Sequence, residues 1–155
     1  MKKTTTKMRL FEIAAFLFTL ATTVTTAPTS PAFSPLPLHK RVNNCGGSSF
    51  VDQTNNNAAK VEDCQLLLKI LEQPFLKSFG WEVGSTETEI LSTDTCTFTS
   101  RATGRNAKGT VGNEDAFDLI RDSIAKYQRN GRVAARGIMP CGGVEVEWRV
   151  KRSGT

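Results

Sequence analysis

Four cysteines, Cys45, Cys64, Cys96 and Cys141, constrain most strongly what this chain can fold into, and all of them lie after residue 44. An even count in a short secreted chain predicts two disulfides, each contributing about 3–4 kcal/mol by restricting the unfolded chain. Metal binding is the competing use of cysteines. It is disfavoured here, because there is no CxxC spacing and the sole histidine, His39, lies upstream of all four. Three pairings are open to four cysteines, and their spacing does not choose among them.

Secretion is read from the first 41 residues. Lys2, Lys3, Lys7 and Arg9 lead into an apolar run from Leu10 to Ala21 that is broken only by Glu12. This is the order of a signal peptide over residues 1–27, with cleavage expected between 21 and 27. The run is too short to span a bilayer as a helix, which takes roughly 20 residues. No stable membrane insertion is therefore expected. Residues 28–41 carry Pro28, Pro31, Pro35 and Pro37 and read as an extended leader, since proline fixes φ and removes backbone donors. The leader ends at the dibasic pair Lys40-Arg41, a processing site for a kexin-type endoprotease, and the folded domain is expected over 42–155.

Removing that leader changes the charge argument. The whole chain has 20 Lys+Arg against 15 Asp+Glu, but six of those basic residues and one acid precede Val42, which leaves 14 of each sign. A neutral domain loses the composition-level case for nucleic acid. It also loses His39, and with it Ser-His-Asp catalysis, Cys-His catalysis and His-ligated zinc. Paired carboxylates are what remain for an enzyme: Asp115, Asp118 and Asp122 on one predicted helix, Glu145 and Glu147 on one predicted strand. Such pairs hydrolyse sugars, yet acids in the first turns of a helix and on a strand's wet face are ordinary. No catalytic residue, metal or cofactor is assigned.

The residues 42–155 suffice for one small domain. "SSFVDQT" (48–54) reads as a strand, and "VEDCQLLLKILEQ" as a helix with Val61, Cys64, Leu68 and Leu71 inward and Pro74 as its stop. A disulfide from Cys64 would then staple that helix to the sheet. "GWEVG" around Trp81 gives a second strand and "TEILSTDTCTFTS" (88–100) a third. Residues 101–112, with Arg101, Arg105 and Lys108 among three glycines, read as a solvated hairpin or connection, and as a candidate binding loop for a phosphate or acidic surface. "GNEDAFDLIRDSIAKYQRNG" (112–131) predicts a second helix capped by Asn113, with Phe117, Ile120, Ile124 and Tyr127 on one face. In "VEVEWRV", Val144, Val146, Trp148 and Val150 alternate with Glu145, Glu147 and Arg149, a strand with one buried face. The fold class expected is α+β: two helices on one face of a mainly antiparallel sheet, of split β-α-β type, stabilised by disulfides.

Taken in order, "CGGSSFVDQT", "VEDCQLLLKI", "GW" at Trp81, "DTCTF", "VGNEDAFDLIRDSI", "NGRVAARGIMPC" and the closing "VEW" resemble the fungal necrosis-inducing factor domain of extracellular-protein-2-type secreted effectors, over essentially all of residues 44–150. The resemblance implies a fungal virulence protein secreted into the host apoplast, where it induces or modulates plant cell death. No catalytic centre is ascribed to such domains, and their cysteines carry over onto Cys45, Cys64, Cys96 and Cys141. Where the family commonly has Asn in "SSFVNQT", this chain has Asp52, and it contains no Asn-X-Ser/Thr sequon.

Two functions follow as expectations. The first is a non-enzymatic monomeric effector that binds an unidentified host plant protein or cell-surface component. The alternative is an antimicrobial killer-toxin-like or glycan-binding module that acts on competing fungi, since related domains are attached to chitinase-like proteins.

Overall fold

The computed structural model describes residues 42–155. The expected signal peptide (1–27) and proline-rich leader (28–41), including His39, Lys40 and Arg41, lie outside the described residues.

Strand β9 (Val144–Arg152) runs through the middle of the main sheet. Its Val146, Trp148 and Val150 are buried, while Glu145, Glu147, Arg149 and Lys151 point to the other side, as a period of two requires. Gly142 and Gly143, both at positive φ (61° and 86°), join it to β8 (Ala135–Cys141) in a tight hairpin. On its other side lie β5 (Cys96–Ala102) and then β4 (Thr88–Ser92), and β1 (Val51–Asp52) closes the far edge beyond β8. The order is β1-β8-β9-β5-β4, with every neighbouring pair antiparallel.

Two smaller antiparallel pairs complete the strands: β2 (Ala59–Lys60) with β7 (Arg132–Val133), and β3 (Gly80–Val83) with β6 (Gly109–Gly112). Helix α1 (Val61–Leu71) follows β2 directly, and α2 (Asn113–Tyr127) follows β6. The fold is α+β and disulfide-stabilised. The pairing is more elaborate than a split β-α-β scheme with two crossovers. The strands that flank α1 sit in different sheets, and β1 and β4 occupy opposite edges of the main sheet with three strands between them.

The helices cover the apolar face. Val61, Cys64, Leu67 and Leu71 of α1 are buried, with Leu67 taking the inward place expected of Leu68, which lies at the rim of the core. From α2, Ala116, Leu119, Ile120 and Ile124 meet Phe98, Met139 and Trp148 of the sheet in one core. Two disulfides cross-link it. Cys64–Cys96 staples α1 to β5, and Cys45–Cys141 ties the N-terminal segment to the end of β8.

Three local expectations are corrected. Residues 88–100 are two strands, not one, because 93–95 turn under the start of α1. Thr93 N–H donates to the Cys96 carbonyl at 2.8 Å, Thr95 donates its hydroxyl to Asp63, and Lys60 N–H donates to the Thr95 hydroxyl at 3.0 Å. Residues 101–112 are not simply a loop: 101–102 finish β5 and 109–112 form β6. The N-cap of α2 is Gly112 rather than Asn113, whose buried amide instead donates to the Leu71 carbonyl at 3.0 Å and ties the start of α2 to the end of α1.

Candidate functional site

Residues 43–50 run as a strap beside β8. Gly46 N–H donates to the Pro140 carbonyl at 2.8 Å and Ser49 N–H to that of Ile138 at 2.9 Å. The approach is close enough that a Cβ on Gly137 would lie 1.8 Å from the Ser49 oxygen, so only glycine fits there. Between this strap and α2 lies a groove of about 350 Å³, lined by Ser48, Phe50, Asp118, Leu119, Asp122 and Met139 among others. Trp148 donates its indole N–H to the Ser48 hydroxyl at 2.6 Å, and its ring meets Phe50 edge-on at 5.0 Å. Lys126 Nζ sits 3.6 Å from the centre of the Phe50 ring, a cation–π contact.

The carboxylates that the sequence marks on α2 all border this groove, and each is engaged. Asp115 is buried and accepts three main-chain N–H groups, from Gly112 at 2.8 Å, Asn44 at 3.0 Å and Cys45 at 3.3 Å. It joins the start of α2 to the strap. Asp118 pairs with Arg121 at 2.8 Å, and Asp122 pairs with Arg121 at 2.9 Å and Lys126 at 3.7 Å. A general acid or base must be within reach of a substrate proton and tuned for its transfer. Asp115 is instead walled in by amide donors, while Asp118 and Asp122 hold an ion-pair network on the helix surface.

The other predicted residues are placed on the sheet. Glu147 bridges Arg101 at 2.6 Å and Arg149 at 2.8 Å. The hydrogen bond from Arg149 is the larger cause holding its carboxyl below the usual glutamate range. Glu145 is exposed at the turn end of the same strand. Lys108 pairs with Glu82 at 2.8 Å, which lowers the Glu82 carboxyl and raises the Lys108 ammonium. The three cations Arg101, Arg105 and Lys108 thus do not converge: two are bound to separate carboxylates, and Arg105 alone has no ion pair among the described residues. Asp52, where a glycosylated family member would carry Asn, accepts from Thr54 N–H at 2.7 Å and pairs with Arg129 at 2.7 Å. Among the described residues no group of three His, Cys, Asp or Glu is placed to hold a metal ion, and no helix is long and apolar enough to cross a membrane.

One surface feature was missed from sequence. Beyond α1 the chain turns through "QPFLKSFGW", and this turn presents Phe75 at 73% exposure and Phe79 at 49%. Phe79 meets Trp81 edge-on at 5.5 Å, and Leu66 of α1 is also exposed. The segment is held from within, since the carbonyls of Lys77 and Phe79 accept the N–H groups of Val42 and Asn113. Phe75 and Phe79 are therefore presented outward on a backbone tied at two points, while Trp81 packs partly buried against the core. The signal was legible: two phenylalanines follow a helix-stopping proline, where no regular periodicity gives them a core to enter.

Over 114 aligned residues the chain is 30% identical to part of "Probable chitinase LysM18" of Penicillium expansum. The match takes in 69% of this chain and spans 8% of that relative's length. The family model described as "Pathogen effector; putative necrosis-inducing factor" matches residues 44–141, which contain all four cysteines, both helices, all of the strap but its first residue, and the aromatic turn. The chain belongs to this family, Hce2.

Proposed function

We propose that this protein is a secreted fungal effector that induces or modulates plant cell death in the host apoplast by binding a host protein or cell-surface component, without catalysis. The observation that carries the reading is the aromatic ridge of Phe75 and Phe79, backed by Trp81, which is partly buried against the core. Large apolar side chains held outward on a small domain are costly to solubility and mark contact surfaces, and aromatic residues dominate binding energy where they are desolvated. The engaged carboxylates of α2 support the non-catalytic part, since each has a structural partner. The expected signal peptide and the expected leader ending at Lys40-Arg41 would export it as a processed protein, to which the two disulfides are suited.

The test is infiltration of the protein, purified from the medium of a secreting host, into leaves of a range of plant genotypes. Cell death or altered infection in at least one genotype is the expected result. No response and no contribution to infection in any of them would refute the proposal.

A second reading, a killer-toxin-like or glycan-binding module directed at competing fungi, is favoured by the likeness to a stretch of a protein named as a chitinase. Of the basic trio that motivates it, Arg105 is the residue free to contribute. Growth-inhibition and chitin pull-down assays separate it from the first, because an effector of plant cell death predicts neither activity.

A further inference from the structure

The open face of the main sheet carries a cation, Arg136, that no carboxylate among the described residues pairs with. Antiparallel register sets Arg136 of β8 directly opposite Arg149 of β9. Lys151 lies two residues further along β9 on the same face, and Arg101 enters that face from β5 opposite Glu147. Like charges set directly opposite one another destabilise a sheet, so this arrangement calls for a compensating anion. The chain supplies part of one. Glu87 leans over the face to Lys151 at 3.1 Å and Arg149 at 3.9 Å, and Glu147 is shared between Arg101 and Arg149. The face also carries Glu89 and Glu145, but no carboxylate reaches Arg136, which is exposed with no ion pair or side-chain hydrogen bond among the described residues. Beside it opens a cleft of about 540 Å³, lined by Gln53, Glu87, Arg136, Arg149, Lys151 and Thr155 among others.

We infer that this cleft binds a carboxylate-bearing polysaccharide, with Arg136 and Arg149 gripping carboxylates and Lys151 adding charge. Guanidinium groups match carboxylates in a planar, two-point fashion. The positions that carry these cations lie about 5 Å apart across the strands, from Arg136 to Arg149, and about 7 Å apart along β9, from Arg149 to Lys151, a spacing that suits charges carried on successive units of a chain. A planar anionic bilayer fits less well, because it would press on the whole face, where Glu89 and Glu145 also stand exposed. A narrow chain can follow the cations and meet Gln53 and Thr155 with its hydroxyls. An acidic peptide that added as a strand would need a free sheet edge, whereas this cleft lies over strands that are already paired. The surface shares no residue with the aromatic ridge and does not depend on the cell-death reading.

The test is titration calorimetry of the full secreted protein with a size-defined polygalacturonate oligomer, with the same oligomer fully methyl-esterified, and with vesicles of anionic phospholipid. The free-acid oligomer is expected to bind, more weakly as salt is raised, and the esterified form is not. Arg136→Gln is expected to weaken binding at least about tenfold, the loss of one charge-assisted pair, with a melting temperature no lower than that of the wild type because a like-charge contact is removed, while Lys69→Gln on α1 leaves binding as it was. Equal binding of the esterified oligomer, binding to neither oligomer, or full affinity in both Arg136→Gln and Arg149→Gln would overturn the inference. Preference for vesicles over the free-acid oligomer would overturn it in favour of a membrane.

Discussion

Asp115 reaches back from the first turn of α2 to Cys45, accepting that cysteine's main-chain N–H at 3.3 Å while also holding Asn44 and Gly112. One buried carboxylate thus fixes the helix start, the strap and, through Cys45, the disulfide to Cys141. Asp115→Ala would leave these amide donors without their acceptor, costing about 3 kcal/mol and lowering the melting temperature by roughly 10 °C. Asp115→Asn keeps one acceptor oxygen and is expected to lose less. Thermal unfolding followed by circular dichroism measures both, and wild-type stability in Asp115→Ala would show that the carboxylate is not structural.

The two disulfides differ in access. Cys64 and Cys96 are fully buried between α1 and β5, whereas Cys45 lies in the partly exposed strap. Mild reduction followed by alkylation is expected to label Cys45 and Cys141 first, with Cys64–Cys96 yielding only as the domain unfolds. Replacing Cys64 and Cys96 by alanine is expected to cost about 3–4 kcal/mol, from the loop entropy of a 32-residue separation. Mass spectrometry of the labelled peptides gives the order, and prior labelling of Cys64 would contradict it.

Acid is expected to weaken the fold through the open face of the sheet. Arg149 and then Arg101 hold the Glu147 carboxyl below its ordinary value, and the Thr99 hydroxyl followed by Lys151 does so for Glu87. A carboxyl depressed in the folded state stabilises it above the unfolded glutamate value of about 4.3, and that stability is lost as pH falls through the lower folded value. Stability should therefore be level from neutral pH to about 5 and decline below about 4.3. Glu147→Gln should be less stable by about 1–2 kcal/mol at neutral pH, with the gap to wild type closing in acid. Urea midpoints across pH measure this, and a gap that does not narrow would contradict the assignment.

What could be read in the sequence is what local rules control. The alternation of β9 and the face of α2 around Ile120 and Ile124 are written in the periodicity of their own residues. The inward Cys64 was legible in the same way, although its partner was not, because pairing is set by which strand α1 crosses. The split of residues 88–100 at Thr93–Thr95 depends on contacts with Asp63 and Lys60, which lie 30 to 35 positions away in the sequence. Asn113 had the chemistry of a cap, but tertiary packing turned its amide to Leu71 and left the cap to Gly112. The candidate carboxylates Asp115, Asp118 and Asp122 fall along one helix as predicted, and only their partners, on the strap and on α2 itself, reveal that they hold structure. The basic trio does not converge because Arg101 ends on β5 while Arg105 and Lys108 lie in the connection to β6, and acids of separate strands, Glu147 of β9 and Glu82 of β3, take up Arg101 and Lys108.

The aromatic ridge provides the most direct test of the account. Phe75 is 73% exposed, so Phe75→Ser removes little buried surface and should leave the melting temperature and spectrum unchanged. In leaves of a genotype that responds to the wild-type protein, infiltration of equal amounts of Phe75→Ser should give cell death strongly reduced or absent, while Asp118→Asn with Asp122→Asn retains it. Full cell death from a folded Phe75→Ser protein, together with its loss when the two aspartates are neutralised, would contradict the account and return the groove carboxylates to consideration as a catalytic pair.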